Sequence, residues 1–541
     1  MKNRFSFSSI MLTGLVLTAM ILSSCGSKSG YKGAIPSDAP VVLEIDMESL
    51  TLKSNILSYK DQLADRLIES NEEDETVLKV AEALRKMDDG GLNFHNPVYV
   101  FTNADVDGIF LLASVRSKET VAKTVLNLGD GKFRVVEDEA EGQSWIETED
   151  HTPIGVFNDE AFLLGSSASK EVFAKLIQSD GDFFGTRMGR AMSNHTGDIT
   201  LMVNAKSINE DVMEAIRMSL MQRMGKGAEL LDRDEIWGAI CKTQAVLNLR
   251  FSVGEMSLNL YSANEEPTPK VLTKVSADVF RNIPSNGLIG MLALGVDGEK
   301  LADSLETAVT KTGVEMNNET RMVLTMAGSF IKAMNGTAAI SVSMDALSSE
   351  PSIVGLLPIA KERTQYLFNL VTKEMKKELY LTGDETYSAI SNQRAYQYGN
   401  VRSSLNMASH AEGCYVYGYF NLNEVIKQAL EQDRRSVTTR DKEMFYDALI
   451  EYVQMLGYAE LQMKSYDEVS LILKLQEDKR NSLDVLLKST FDLGLQYFQY
   501  RQQERAYDWA ADDDYVYLEY LGEPDMLGDD AEWEELEEIE W

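Results

Sequence analysis

The chain has 541 residues, enough for two or more hydrophobic cores, and its 86 acidic and 52 basic residues give a formal net charge of −34. So acidic a protein repels phosphate backbones and anionic headgroups, which argues against nucleic acid as a partner and against a basic patch as a membrane anchor. The four histidines and three cysteines show no zinc-ligand spacing, so we predict neither a metal site nor a cofactor.

The N-terminus has the pattern of a bacterial lipoprotein signal peptide. Lys2 and Arg4 make it positive, and the 13 residues from Ile10 to Leu22 form an apolar segment that is shorter than the ~20 residues of a spanning helix. The sequence Leu22-Ser23-Ser24-Cys25 then matches a lipobox. We therefore predict that residues 1–24 are removed and that Cys25 is the site of acylation (palmitate). The alternative is an ordinary cleavable signal peptide in which the cysteine occurs by chance.

The predicted anchor also predicts a location. More than one acyl chain is needed for stable anchoring, and bacterial lipoproteins typically carry three, so the membrane is the expected partner through lipidated Cys25. Residues 25–33 are small and polar and predict a flexible leash. This leash contains lysines but no acidic residues, which favours the periplasmic face of the outer membrane. The removed segment carries +2, so the mature chain would carry −36.

Two parts of the chain share one order of predicted elements. Ala34-Ile35-Pro36-Ser37-Asp38 and Asn282-Ile283-Pro284-Ser285-Asn286 each form a turn that leads into an apolar strand and a helix. A strand pair, a helix, a strand followed by a helix, and a final alternating strand pair come next in both parts. The matched strands are 96–101 and 108–115 with 337–344 and 353–359, 198–203 with 414–420, and 243–261 with 468–487.

These matches predict an α+β fold made of two tandem homologous halves. Each half is expected to be an antiparallel sheet with helices packed on one face. The predicted halves are 34–262 and 281–510, and the Pro-containing segment 263–280 is the expected linker and connecting helix. Accidental likeness between two mixed strand-helix segments is the alternative.

The remaining apolar and acidic segments have simple interpretations. We predict that a Met-rich helix buries one face in the core, with a methionine-lined binding groove as the alternative. Its apolar residues are Met213, Ile216, Met218, Leu220, Met221 and Met224. The pattern of 491–510 predicts a helix that packs on the second half. Residues 511–541 contain 14 acidic and no basic residues, which predicts a disordered tail. The alternative is an interaction tail for a basic partner or cations.

Three short motifs together imitate a serine penicillin-recognising enzyme. Ser167-Ala168-Ser169-Lys170 fits S-x-x-K, Ser207-Ile208-Asn209 approximates S-x-N, and Lys311-Thr312-Gly313 fits K-T-G. However, Lys311 ends a helical pattern rather than lying in a strand. The motifs also fall across both predicted halves, so we predict no catalytic residues here.

The other candidate motifs are explained by turns and free thiols. Residues 103–108 match the first half of a calcium loop, but Ser114 stands where a glutamate is needed, and strands flank it. Residues 129–132 lack the spacing of a phosphate loop and predict a turn. The acidic residues around 137–150 predict a solvated hairpin rather than the paired catalytic carboxylates of a glycosidase. Cys241 and Cys414 are expected to be buried free thiols rather than a disulfide.

The lipobox, the Ile35-Pro36-Ser37-Asp38 turn with the following Val41 to Asp46, and the long α+β body resemble uncharacterised Bacteroidota lipoproteins with a large domain of unknown function. The resemblance implies an envelope location and no assigned activity. We therefore predict a non-enzymatic binding or scaffold module that meets an envelope protein partner. The alternative is a periplasmic hydrolase acting on cell-wall or glycan substrates.

Overall fold

The computed structural model describes the body of the chain and leaves its two ends outside the described residues. The predicted signal peptide 1–24, Cys25, residues 495–510 and the acidic segment 511–541 all lie outside. The structure describes residues 30–70, 75–85, 90–104, 106–129, 131–166, 169–179, 181–224, 234–264, 270–311, 318–344, 350–372, 378–401, 407–434 and 440–494.

Helices and antiparallel strands together form the described residues, so the predicted α+β class is confirmed. The strands are β1 Val41–Ile45, β2 Val98–Asn103, β3 Val106–Ser114, β4 Phe133–Asp138, β5 Gln143–Thr148, β6 Pro153–Phe157, β7 Ala161–Gly165, β8 Ile199–Asn204, β9 Gln244–Ser252, β10 Glu255–Ser262, β11 Leu272–Thr273, β12 Leu288–Asp297, β13 Asn335–Ser343, β14 Ser352–Leu357, β15 Tyr380–Gly383, β16 Ser388–Ser391, β17 Val416–Phe420, β18 Leu456–Ser465 and β19 Glu468–Leu475. The α-helices are α1 Met47–Ser54, α2 Lys60–Ser70, α3 Glu75–Arg85, α4 Lys118–Gly129, α5 Lys170–Ile177, α6 Arg187–Asn194, α7 Glu210–Met224, α8 Asp234–Ile240, α9 Gly298–Lys311, α10 Asn318–Lys332, α11 Lys361–Thr372, α12 Met407–Ala411, α13 Leu422–Arg434, α14 Arg440–Gln454 and α15 over 482–494. The 3₁₀ helices are Gly30–Ala34, Ile56–Ser58, Ala205–Ser207 and Ala277–Asn282.

The strands join into one continuous antiparallel sheet with a repeated order. From one edge to the other the order is β4, β5, β6, β7, β3, β2, β1, β8, β9, β10, β19, β18, β17, β12, β13, β14, β16 and β15, and β11 pairs with the end of β12. β1 lies between β2 and β8, just as β12 lies between β13 and β17. We name β1–β10 the first unit and β11–β19 the second unit.

The two units meet where β10 pairs with β19 along its length. β10 begins at Glu255 and β19 begins at Glu468, each directly after the turn of a hairpin with the preceding strand. Leu258 and Leu471 therefore hold the same position in their units, and they lie directly opposite each other in the ladder. The strand pairing of the described residues thus has an approximate two-fold axis through this leucine pair.

The structure corrects the predicted match of 468–487 with the end of the first unit. The equivalent of the β9–β10 hairpin is β18–β19, and residues 482–494 form a helix instead of a strand. The backbone N–H of Leu483 donates to Oδ1 of Asn481 at 3.0 Å, which caps the start of this helix. Leu483, Leu486 and Leu487 also have the spacing of one helical face.

The prediction that helices cover one face of each sheet is wrong for the first unit. Phe110 of β3 packs with Phe173 of α5 in one cluster, whereas Ala113 of the same strand packs with Val121 of α4 in another. Odd and even residues of a strand point to opposite faces, so both faces are covered there. The unbroken apolar run from residue 109 to 113 is typical of a strand that is buried on both faces.

Apolar side chains remain exposed on one face of the central and second-unit strands. Leu292, Ile340, Phe420 and Leu471 are 41%, 50%, 41% and 46% exposed. The registers through β19, β18, β17, β12 and β13 place these side chains on a common face. The opposite face of the same strands is closed by the core that contains Met291, Ala339 and Tyr417.

The interpretation of the Met-rich helix as a buried core face is also wrong. Of its apolar residues, Met213 is buried, but Ile216, Met218 and Leu220 are all exposed. Two residues, 216 and 220, lie four apart on one helix face, and Val212 extends that exposed face by another turn. α7 therefore presents apolar side chains to solvent in addition to those that it buries.

Because β10 is flanked by strands on both sides, a proline within it should disrupt the junction. We expect Leu258→Pro to lower the free energy of unfolding by roughly 3 kcal/mol or more, since proline removes a ladder donor and clashes with the neighbouring strand. Leu258→Ala is the matched control, and its effect should be much smaller because this side chain is 39% exposed. Urea unfolding followed by circular dichroism measures both. Equal losses for the two variants would contradict the assigned pairing.

Candidate functional site

A row of polar side chains crosses the middle of the sheet on one face. Residues that lie directly opposite each other in antiparallel strands point to the same side, so the registers place these side chains in one line. The row consists of Tyr99, Glu44, Thr200, Asn248, Asn259, Ser470, Gln462 and Tyr417. Buried polar groups destabilise a fold unless they find partners, so a buried polar row is a candidate functional feature.

An open cleft of about 710 Å³ lies over the first-unit end of this row. Glu44 of β1 forms its floor, the 3₁₀ helix Gly30–Ala34 forms one wall, and the segment that leads into and out of α6 forms the other. The lining residues are Gly30, Lys32, Gly33, Glu44, Gly181, Asp182, Phe184, Ser193 and Thr196.

The wall Gly30–Ala34 is fixed to the body of the protein. Tyr31 is 2% exposed and its hydroxyl donates to the carbonyl oxygen of Pro97 at 2.6 Å. The N–H of Gly181 donates to the carbonyl oxygen of Gly33 at 2.9 Å. Residues 30–33 of the predicted leash 25–33 are therefore part of the fold, because Tyr31 supplies a large side chain for the core.

Glu44 is the electrostatic centre of the cleft. Burial raises the pKa of its carboxyl group, the ammonium of Lys32 opposes that rise, and the nearby carboxylate of Asp46 adds to it. Lys32 holds its Nζ 5.5 Å from the ring centroid of Tyr99 and 5.2 Å from that of Phe184. The cleft therefore offers a carboxyl group that is hard to ionise and a cation that rests on two aromatic rings.

The hydroxyl of Tyr99 lies beneath this pair. It is completely buried, and within the described part of the chain it makes no hydrogen bond of ordinary geometry. Burial raises the pKa of Tyr99, and the neighbouring Glu44 and Tyr31 raise it further. The hydroxyl therefore stays protonated and is available as a donor toward Glu44 or toward a group bound above it.

Further along the row, the polar groups satisfy one another. The side-chain amide of Asn259 donates to Oδ1 of Asn248 at 2.9 Å, and Asn248 donates to the carbonyl oxygen of His195 at 2.8 Å. The ring of His195 stacks on Tyr261 with centroids 3.8 Å apart, and burial lowers the pKa of this histidine. These contacts give the polar row a structural role near the β10–β19 junction, because Asn248 and Asn259 find hydrogen-bond partners within the fold.

The second unit has a buried carboxylate network at its own end of the row. Glu460, whose side chain is 3% exposed, accepts hydrogen bonds from Nδ1 of His410 at 2.6 Å, from the hydroxyl of Tyr417 at 2.7 Å and from the amide of Gln462 at 3.1 Å. A carboxylate that holds Nδ1 of a histidine is half of a nucleophilic triad. Within the described ranges no hydroxyl or thiol contacts Nε2 of His410, so the other half is missing there.

Three described residues of the imitated penicillin-recognising motifs have structural roles of their own. Lys170 pairs with the buried carboxylate of Glu147 at 2.5 Å, and its Nζ lies 5.2 Å from the ring centroid of Trp145. Ser207 accepts a hydrogen bond from Asn204, and Asn209 caps the start of α7. Ser167, Thr312 and Gly313 lie outside the described residues, and so does Cys25.

The calcium-loop and phosphate-loop matches are turns, as predicted, whereas the predicted solvated acidic hairpin is wrong at Glu147, which is buried and pairs with Lys170. Residues 103–108 join two strands rather than two helices, and the N–H of Lys132 closes a turn onto Gly129. No group of three or more potential metal ligands occurs in the residues that the structure describes. Both cysteines are free: Cys414 is buried, which raises the pKa of its thiol, whereas Cys241 is only half-buried.

The cleft was not predicted, although β1 was. The segment Val41-Val42-Leu43-Glu44-Ile45 was identified as an apolar strand, and the one charged residue within it is Glu44. A charged side chain inside an apolar strand is rarely buried without a partner, so it is the signal that could have marked the site. The partner Lys32 lay in the segment that was predicted to be a leash.

The fold and the cleft together define an α+β protein built on one antiparallel sheet. Residues 31–407 match the family described as Domain of unknown function (DUF4836), and the chain belongs to that family. No curated protein matches the sequence.

Two solved structures are similar to part of this chain, with low sequence identity and a low TM-score. "Structure of crystal form IV of TP0453" is 15% identical over 43% of this chain and 81% of that chain, with a TM-score of 0.26. "Structure of crystal form I of TP0453" is 13% identical over 45% of this chain and 81% of that chain, with a TM-score of 0.25. Likeness at this level supports no conclusion about fold or function. Among the described residues no helix is long and apolar enough to cross a bilayer.

The half-buried carboxyl group of Glu44, whose pKa is raised, should reduce stability as the pH rises. A carboxyl group whose pKa is raised in the folded state binds its proton more tightly there, so its contribution favours folding at low pH and is lost as the pH rises through the raised value. We therefore expect Glu44→Gln to be more stable than the unmodified chain at pH 8, with a difference that shrinks toward pH ~4.

Thermal unfolding between pH 4 and pH 8 measures this difference. Glu137→Gln on β4 is the matched control, because this residue is exposed and its substitution should leave stability within ~0.5 kcal/mol at every pH. A Glu44→Gln difference that is the same at pH 4 and pH 8 would show that burial does not perturb this carboxyl group.

Proposed function

We propose that this protein is a lipid-anchored envelope protein that binds a ligand or partner in the Glu44 cleft without chemical turnover. The observation that carries the proposal is that Gly30, in the cleft wall, lies only five residues after the predicted lipid site Cys25. A binding cleft beside its own tether is expected of a module that works at a membrane surface.

We propose that the tether places the protein in the outer membrane on the periplasmic side. The segment 26–29 retains a lysine and no acidic residue, which supports that side. The partners in this proposal are the membrane, through lipidated Cys25, and an envelope component bound at the cleft or at the acidic tail 511–541. The strongly acidic mature chain makes a nucleic-acid partner unfavourable.

We further infer that the two units are homologous halves produced by duplication. The same strand order in both units and the coincidence of Leu258 with Leu471 at the two-fold axis support this inference. The sequence also repeats its Ile-Pro-Ser turn before β1 and before β12. Divergence then accounts for their differences, since β4, β5 and the cleft belong to the first unit.

The tether is tested at Cys25. We expect mass spectrometry of the native protein to find an acylated N-terminal Cys25, and Cys25→Ala to shift the protein out of the membrane fraction because the anchor is lost. Cys241→Ala is the matched control and should leave fractionation unchanged, since that thiol lies in the folded body. Recovery of the intact, unmodified leader from the cytosol would overturn the proposal.

A second candidate function is glycan or cell-wall hydrolysis with Glu44 as general acid. Its support is the raised pKa of Glu44 in an open cleft, because a carboxyl group that keeps its proton can protonate a leaving group. This candidate predicts that purified protein releases soluble fragments from cell-wall glycan and that Glu44→Gln lowers the rate by ~100-fold. If the unmodified protein releases no fragments, hydrolysis is excluded.

A further inference from the structure

The predicted tether joins the fold at the rim of the cleft, and its length limits how far the cleft can lie from the membrane. Residues 30–34 are fixed by buried Tyr31 and by the Gly181–Gly33 hydrogen bond. Five backbone steps separate Cys25 from Gly30, and an extended chain spans at most ~3.5 Å per step, or ~17 Å in total. An acylated Cys25 would therefore hold Gly30, at the rim of the cleft, within ~17 Å of the bilayer, a distance of about two to three headgroup layers.

The cleft contains charges of both signs on separate surfaces. Lys32 projects from one wall, and within the described ranges it forms no ion pair shorter than 4 Å. Glu44 lies on the floor, and Asp182 lies on the other wall, where one of its carboxylate oxygens accepts the N–H of Gly185 at 2.8 Å. A purely anionic ligand would be repelled by the two carboxyl groups, and a purely cationic ligand would be repelled by Lys32.

Neutral donors complete this arrangement. Ser193 and Thr196 line the wall beside Asp182, where the Ser193 hydroxyl donates to the carbonyl oxygen of Gly189 at 3.0 Å, and the hydroxyl of Tyr99 lies under Glu44, toward which it can donate. A small ligand that carries an anion and an ammonium a few ångströms apart would satisfy Lys32 with one end and the carboxyl groups with the other. Phosphates are well matched to a lysine ammonium, and a bound ammonium beside Glu44 opposes the burial that raises the pKa of this carboxyl group, so that it ionises and pairs with the ligand.

We propose that the cleft binds the phosphoethanolamine zwitterion, with its phosphate at Lys32 and its ammonium at Glu44. This proposal rests on the proposed binding function and names its ligand. The group occurs as a phospholipid headgroup and as the free soluble molecule, and the distance to Cys25 favours the headgroup. The ligand is net neutral, so the charge of the mature chain does not oppose its approach.

Vesicle binding tests the proposal without the tether. The mature chain with Cys25→Ser contains every described residue and has no acyl chain. We expect it to cosediment with vesicles rich in phosphatidylethanolamine and not with vesicles of anionic phosphatidylglycerol. Soluble phosphoethanolamine should compete. Binding of the soluble molecule alone assigns the free source, and binding of vesicles with competition assigns the headgroup; both support the site.

Two cleft variants and one control separate specific binding from surface adhesion. Lys32→Gln and Glu44→Gln should each weaken binding by at least ~10-fold, because each removes one charged contact. Lys123→Gln on α4, where the lysine is exposed and paired with Glu119, should bind as the unmodified chain does. Circular dichroism confirms that each variant is folded.

Absence of binding to both sources would overturn the proposal, as would stronger binding to phosphatidylglycerol or an equal loss in the Lys123→Gln control. Because the tested chain has no acyl group, such a failure would leave the Cys25 experiment unaffected. Conversely, a failure to find acylation at Cys25 would leave the vesicle result standing.

Discussion

The pairing of β10 with β19 is the constraint on which the architecture depends. Open sheets rarely exceed about 10 strands, and this protein exceeds that size because two sheets of similar order share one ladder. Both strands lie in the interior of the sheet as a result, and neither unit has an exposed edge at this position. The junction places Leu258 against Leu471, so the apolar faces of the two units continue into each other.

The same ladder accounts for the line of polar side chains. Once the registers are set, residues from Tyr99 to Tyr417 must lie in one line across the sheet, whatever covers them. Near the junction, hydrogen bonds link the asparagine side chains to each other and to His195, so this part of the row is satisfied within the fold. At the first-unit end the covering layer leaves the cleft, and the carboxyl group of Glu44 faces open space with Lys32 beside it.

Local patterns in the sequence predicted most elements but not their layers. Turn residues and alternating strands placed β1, β2, β3, β8, β12 and β17 correctly within a few residues. The prediction missed the final hairpin of the second unit. Residues 456–465 and 468–475 alternate in the same way, so the predicted match to the first unit was displaced by one strand. The two-sided burial of β3 was missed although its run of apolar residues lacks alternation.

The candidate site depends on contacts that sequence spacing does not contain. Glu44 becomes unusual only when the 3₁₀ helix folds back over β1, which the polar composition of 25–33 did not predict because a single buried tyrosine decides it. The contact of His410 with Glu460 joins α12 to β18, residues 50 apart, and no local pattern marks it.

The coincidence at the two-fold axis has a consequence for a single unit in isolation. Its β10 would be an open edge, and that edge is complementary to itself, because Leu258 would face Leu258 of another copy. Such a molecule would assemble as a symmetric pair whose formation depends on its concentration. Joining the two units in one polypeptide removes that dependence, since the partner edge is always present. It also allows each unit to depart from the symmetry, so that one holds a carboxyl-lined cleft while the other holds a buried carboxylate bonded to a histidine.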